Sequence, residues 1–385
     1  MQLASGAVPT PLTAAAAALD RIWREHVRPL VPDDDGLVDV HVHLGADASD
    51  GSRLDASTLL ADMAAGDVTS SWAFPFQAPA VAGYAAANDA VLAVAEAAGG
   101  RVVAFARSEP GEQFIPELER ALDAGARGIK LHTSLPGYDF SHPQLDDAFA
   151  LAAERRAPML FHTGRAVPPF ARDLTRLLER NPGAQVILAH CAMADLHAVC
   201  ALGHPNIRFD TSLWNTLDVR ALIAEAAPEQ LLYGSDAPYY SAIGTQSKLF
   251  PQMARAGAST DQLCAAAARS AALLLAGQPC ARLSPPLAAA AELPSRPRLR
   301  AHEYLLMTVP LIWQQMPDRI GLLALARQAL GEPADAQSAA VLELLALAAE
   351  TWPLELAHGD RSEILTVSWL TFRLIELADA LVMAD

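Results

Sequence analysis

Lysine is nearly missing from this 385-residue chain: only Lys130 and Lys248 stand among its 28 basic residues, the rest being arginine. Basic charge as a whole is short, 28 residues against 44 acidic ones for a formal charge of −16. Nucleic acid and anionic membrane surfaces, which select a cationic face, are therefore not expected partners. Cysteine is scarce as well. Cys191, Cys200, Cys264 and Cys280 show no C-x-x-C spacing and no dense framework, which points to reduced thiols in a cytoplasmic protein. No apolar stretch approaches the roughly 18 residues of a membrane span, and the run at 304–313 is interrupted by Pro310. The N-terminal run lacks the positive segment of a secretory signal, and no glycine-rich phosphate turn follows an early strand pattern. What is abundant is apolar material. Hydrophobic residues make up 52% of the chain with only 6% aromatics, enough for a large buried core.

From residue 37 to about 275 one pattern recurs: a short apolar run, a polar or Gly/Pro turn, then an Ala/Leu-rich stretch with helical spacing. The strand-like runs are 37–45, 68–75, 101–110, 126–134, 158–164, 184–192, 206–212 and 231–239. Alternating strand and helix signals imply βαβ units with parallel strands. Eight of them fit an α/β fold of the closed (β/α)8 TIM-barrel type. The flanks differ. Residues 1–30 read as a helical segment, with one helix over 12–30. Residues 31–280 form the barrel, and 281–300 a Pro/Arg-rich linker. Residues 301–385 are an all-helical extension without strand signal or chemical motif, read as structural or as an interaction surface, including a route to a homo-oligomer.

The first strand carries the chemistry. In Val38-Asp39-Val40-His41-Val42-His43, strict alternation sends the valines to one face and Asp39, His41 and His43 to the other. Two imidazoles two residues apart at a strand's C-terminal end can reach one ion. Three more polar residues stand where an apolar run stops: His162 after MLF, His190 after VILA and Asp236 after LLYGS. In a parallel barrel those ends share one face, where active sites are built. Imidazoles and a carboxylate together suit Zn²⁺, with Mn²⁺ as an alternative. Lys130 and His132 share the inward face of GIKLH. Arg165, after FHTG, and Arg107, at the end of the third strand pattern, are candidates to hold a substrate carboxylate. Trp72, Phe74 and Phe76 are candidates for an apolar wall. Cys191, beside His190, reads as a small core hydrophobe.

The order His41-x-His43, His162 in FHTG, His190 in ILAH and Asp236 in YGSDAP resembles the amidohydrolase superfamily, in particular its amidohydrolase-related branch of metal-dependent hydrolases and decarboxylases. The likeness extends through 44–51, 87–110, 125–134 and 205–212, and runs from about Leu37 to Ala276. It implies that His41, His43, His162 and Asp236 ligate one metal, and that Asp236 moves protons between water and leaving group. It further implies that His190 faces the reacting oxygen or ligates a second metal. Some members carboxylate a lysine at the fourth strand to bridge two ions. For Lys130 that state, a free amine in the site and a structural role all stay open. One ion is expected, or two if Lys130 is carboxylated.

The resulting expectation is a hydrolase that cleaves an amide, lactone or ester of a small-molecule substrate. Its rival is a non-oxidative decarboxylase on the same scaffold. Such enzymes generally follow the sixth-strand histidine with a Gly-Glu-like continuation, where this chain has Cys191-Ala192-Met193. A third reading is an inactive scaffold with a partner-binding helical module. It conflicts with the cost of keeping five polar groups in a barrel mouth.

Overall fold

The computed structural model describes residues 10–49, 51–78, 82–133, 138–280, 282–358 and 369–384. The apolar runs become strands β1 (Val38–Ala46), β2 (Arg53–Leu54), β3 (Ser70–Pro75), β4 (Val102–Arg107), β5 (Gly128–His132), β6 (Met159–His162), β7 (Val186–Leu188), β8 (Ile207–Asp210) and β9 (Leu231–Leu232). They form one curled sheet in the order β2-β1-β3-β4-β5-β6-β7-β8-β9. Every pair is parallel except β1–β2, a short antiparallel addition at the rim. Helices connect consecutive parallel strands, several opened by a side-chain cap: Asp55 accepts from the Thr58 N–H, Asn215 from Leu217 and Ser241 from Gly244.

Alternation sorts the side chains into two layers. Trp72, Phe74, Phe105, Leu160, Ile187 and Leu232 meet inside the curl, floored by Ala271 and Leu274. Val42, Ala73, Ile129, Phe161 and Leu188 belong to the layer packed under the helices. The simple alternation expected for β1 fails at one point. Asp39 pairs with Ser71 and Val42 with Ala73, so β1 carries one residue more than β3 over this interval. The bulge puts Val40 among the inner residues and resets the phase, so that His41 and His43 follow it inward. Asp39 falls on the other side of the strand from the imidazoles.

The expected closed eight-stranded ring is met in part. The sheet is a curled half-barrel without a continuous ladder between its ends. β9 is only two residues long because Gly234, Ser235, Asp236 at φ +60° and Pro238 interrupt the run expected over 231–239. Single hydrogen bonds span the seam instead: Val40 N–H to the Tyr233 carbonyl at 3.0 Å, Asp236 N–H to His41 at 2.8 Å and His43 N–H to Ala237 at 2.8 Å. Val42 forms an isolated parallel bridge with Ala237.

The N-terminal helix runs over Thr10–His26 and buries Ala15, Leu19, Ile22 and Trp23, positions i, i+4, i+7 and i+8 of one face. It stops before a 3₁₀ turn at Arg28–Leu30. The first C-terminal helix, Arg296–Trp313, starts within the region read as a linker, with Pro297 in its tolerant first turn. Leu322–Leu330, Ala336–His358 and Leu370–Met383 follow. The most apolar stretch of the extension, 363–384, begins outside the described residues, which resume at 369. Leu370–Met383 covers the helix Ala242–Arg255, twelve of whose fourteen residues are buried, including Ser247, Lys248 and Gln252. Lys248 pairs there with Glu376. The carboxylate comes so close that a Cβ on residue 244 would lie 2.3 Å from Glu376 Oε2, which explains Gly244. Asp379 accepts from Thr216 Oγ1 at 2.7 Å and lies 2.6 Å from His302 Nδ1. All four cysteines are unpaired, and no described helix is long and apolar enough to cross a membrane.

The C-terminal helices thus complete the core of the sheet-bearing region. Leu374→Ala, at a fully buried position, is expected to cost about 2–5 kcal/mol, read as a lowered denaturation midpoint in urea. Deleting residues 296–385 is expected to abolish cooperative unfolding by calorimetry. A truncated chain that melts like the full one contradicts this packing.

Candidate metal centre

The C-terminal ends of the parallel strands place the polar side chains together. His41 and His43 come from β1 and Asp236 from the turn after β9. One ligand atom from each lies within 4.8 Å of the others. His41 Nε2 is 3.0 Å and His43 Nε2 3.1 Å from the same oxygen, Asp236 Oδ1. Asp236 holds this position in the left-handed region, with its N–H bonded to His41. Local strain of this kind persists only where surroundings enforce it. The turn passes so near β8 that a Cβ on residue 234 would lie 2.2 Å from Asp210 Oδ1 and 3.2 Å from His41 Cβ, so only glycine fits.

The other face of His41 explains its orientation. Nδ1 stands 2.5 Å from Asp210 Oδ2. An ionised carboxylate only accepts, so the hydrogen sits on Nδ1 and the neutral ring points its Nε2 lone pair at Asp236. Two acceptors 3.0 Å apart need a cation between them. A second proton on His41 is one such cation. Burial and Lys130 oppose it, but Asp236 and Asp210 outweigh them and raise the His41 pKa. Burial would push Asp236 upward, yet His41, His190 and the hydrogen bonds from His41 and His43 hold its carboxyl well below the usual range. Burial drives His43 down to about 3. A neutral imidazole, a second aimed by a carboxylate, and an ionised carboxylate form a donor set that fits a divalent first-row ion.

His162 and His190 form a second pair beside this group, the His190 ring centroid lying 5.2 Å from that of His41. His162 Nδ1 lies 3.0 Å from His190 Nε2, and His132 stacks on His162 with centroids 4.0 Å apart. His162, expected beside His41 and His43, is thus placed against His190, outside the three-residue group. His190, Cys191 and Ala192 all have left-handed backbone (φ 56°, 59° and 50°), so a tight turn replaces the expected strand end. Cys191 is fully buried. His190 Nδ1 is 2.7 Å from the Ser212 carbonyl; a carbonyl only accepts, so Nδ1 is the donor and the neutral ring keeps its lone pair on Nε2. Burial pushes the pKa of His190 down, so it is neutral.

Lys130 is fully buried, 3.1 Å from His41 Nε2 and over the Phe74 ring at 4.5 Å. Burial pushes its pKa down to about 7. Phe74, Phe76 and Tyr239 wall His43, with ring centroids 4.7, 5.0 and 5.6 Å away, whereas Trp72 lies deeper, stacked on Phe105. Arg107 is buried beside Tyr84. Arg165 is exposed and lies over Trp214 at 5.0 Å.

Two residues of this centre escaped the sequence reading. Asp210 orients His41, and Ser212 touches it, lying 3.2 Å from both His41 Nδ1 and His190 Nδ1 while donating to Asp210 at 2.8 Å. The signal was present, since Asp210 ends an apolar run as His162 and His190 do. Asp39, expected to face inward, instead accepts from the backbone N–H of His41 at 3.1 Å and Ser235 at 2.8 Å, and burial raises it to about 7. Asp210→Asn removes the acceptor that aims His41. It is expected to weaken Zn²⁺ binding about 10- to 100-fold, measured by competition with a chromophoric chelator; unchanged affinity contradicts the orienting role.

A family model described as amidohydrolase matches residues 38–292. No curated protein matches the sequence. Among solved structures, 4-oxalomesaconate hydratase from Rhodopseudomonas palustris is 13% identical, with 63% of this chain and 96% of that one covered and a TM-score of 0.50. IDCase from Metarhizium anisopliae is 13% identical over 63% of this chain and 98% of its own, with a TM-score of 0.49. N-isopropylammelide isopropylaminohydrolase from Burkholderia multivorans is 18% identical over 66% and 80%, at 0.42. At these identities the likeness concerns the fold alone. The family match spans well over half of the chain, and with the strand-end histidines and Asp236 in place the conclusion is plain: the chain belongs to the amidohydrolase family.

Proposed function

We propose that this protein is a metal-dependent hydrolase that adds water across an amide, lactone or ester bond of a small molecule. One observation carries the reading: His41 Nε2 and His43 Nε2 converge on a single oxygen of Asp236 at 3.0 and 3.1 Å, with Asp210 locked to the back of His41. His41, His43 and Asp236 would hold the ion, Zn²⁺ by donor chemistry. His162 and His190, 3.0 Å apart, stand ready as further nitrogen donors. When bound, such an ion polarises a carbonyl and lowers the pKa of water.

The chain's own groups supply the proton transfers. Asp236, held ionised by its imidazole neighbours, can take a proton from the attacking water through its carboxylate and return it to the leaving group. His190 is neutral with Nε2 as its acceptor. That atom faces His162 Nδ1 at 3.0 Å, so it can take a substrate hydrogen only when His162 turns away, and the ring becomes an oxyanion donor only after it gains a proton. Lys130, brought near neutrality by burial, places an amine beside His41. Phe74, Phe76 and Tyr239 shield His43 from solvent and favour the neutral ring.

The test begins with elemental analysis of the purified protein and hydrolysis assays on amide, lactone and ester panels after Zn²⁺ loading. Asp236→Asn is expected to lower kcat by about 10²–10⁴-fold while part of the metal stays bound. Chelation should remove activity and Zn²⁺ should restore it. Release of carbon dioxide without net addition of water would instead identify a decarboxylase.

A further inference from the structure

Arg107 is the last residue of β4 and pairs in register with Lys130 on β5, so both side chains leave the sheet on the same inner side. Its side chain is 1% exposed. Nη1 donates to the Pro75 carbonyl at 3.2 Å. Nε and Nη2 are buried with no hydrogen-bond partner among the described residues. The nearest carboxylate, Glu109, is 3.8 Å from Nη2 and is engaged by the Tyr84 hydroxyl. The hydroxyl of Tyr138, also buried, faces the His132 backbone and meets no side-chain acceptor among the described residues. The guanidinium is close enough for its charge to act on Lys130, His132 and Tyr138. This corner of the site offers donors with little to receive them. A buried guanidinium edge without a hydrogen-bond acceptor is costly; the Tyr84 ring at 5.3 Å and Glu109 at 3.8 Å offset part of that cost without accepting a bond from Nε or Nη2.

Nε and Nη2 form the side edge of the guanidinium, the fork whose two parallel N–H bonds match the two oxygens of a carboxylate. We propose that this edge of Arg107, with the Tyr138 hydroxyl, seats a carboxylate of the substrate, so that the molecule hydrolysed at the His41–His43–Asp236 group is an organic acid. The hydrolytic step rests on the function proposed above; the binding of the acid does not. The geometry also selects between the two arginines suggested by the sequence. Arg165 is solvated and stacked on Trp214, whereas Arg107 is the desolvated cation, where a charge-assisted bond is strongest.

The experiment is calorimetric titration of the Zn²⁺-loaded full chain with benzoate, phthalate and glutarate, with the methyl ester of each, and with inorganic phosphate. At least one acid is expected to bind 10-fold or more tightly than its ester. Arg107→Met should erase that preference, and Arg107→Lys should restore it only in part, because an ammonium cannot make the paired bonds. A carboxylate landing on the ion alone would survive these substitutions, and that outcome overturns the proposal. So does phosphate binding more tightly than every acid, or an absence of preference in the unaltered protein. Tyr138→Phe, which removes one oxygen, is expected to weaken the acid several-fold and decides the matter if Arg107→Met does not fold. Binding is read without turnover. A chain that binds acids through Arg107 but hydrolyses nothing refutes the hydrolase reading alone, and one that hydrolyses esters without preferring acids refutes the carboxylate seat alone.

Discussion

The orientation of one imidazole ring governs the centre. Asp210 takes the Nδ1 hydrogen of His41, and that single bond decides where the opposite lone pair points. Every other feature of the rim supports or exploits the choice. Ser212 braces the carboxylate. Gly234 leaves room for it. Asp236, strained into the left-handed region, brings its oxygen to meet His41 and His43. A ring free to flip would exchange its nitrogens and lose the cation seat, so the buried carboxylate, expensive to desolvate alone, gains its value through the ring it holds.

The main outline of this arrangement could be read from the amino acids in order. His41, His43, His162, His190 and Asp236 each mark the end of an apolar run, and parallel strands bring such ends to one rim whatever their separation along the chain. What escaped depends on single-residue geometry. The extra residue in β1 is invisible to an alternating pattern, so Asp39 was assigned to the side of the histidines although it bonds backbone N–H groups on the other side. Spacing carries no information on which imidazole faces which: His162 meets His190, whose ring centroid lies 5.2 Å from that of His41. The last strand pattern overruns the strand because LLYGSDAP begins as one, and only the positive φ at Asp236 marks where extension stops. Asp210 went unassigned beside a signal as clear as those that were used.

The C-terminal helices show what polar composition leaves undetermined. Ser247, Lys248 and Gln252 give Ala242–Arg255 the polar face of a solvent-exposed barrel helix. They are buried because Leu370–Met383 supplies matching polar groups, Glu376 foremost. Composition alone cannot tell a hydrated polar face from one neutralised by another part of the chain. The pairing also reaches toward the rim: Ser241, which caps that helix, touches Glu376 at 3.4 Å, five residues beyond Asp236. Material outside the family match therefore supports the segment that delivers a central carboxylate.

The bulge in β1 has a consequence for how this protein can change. Because one surplus residue resets which side the strand presents, losing it by deletion, or by recombination with a homologue of regular β1, would turn both imidazoles under the helices while leaving the sequence motif intact. Inheritance of the motif is therefore no guarantee of the site. Length conservation between Asp39 and Val42 is the stricter mark of descent with chemistry retained.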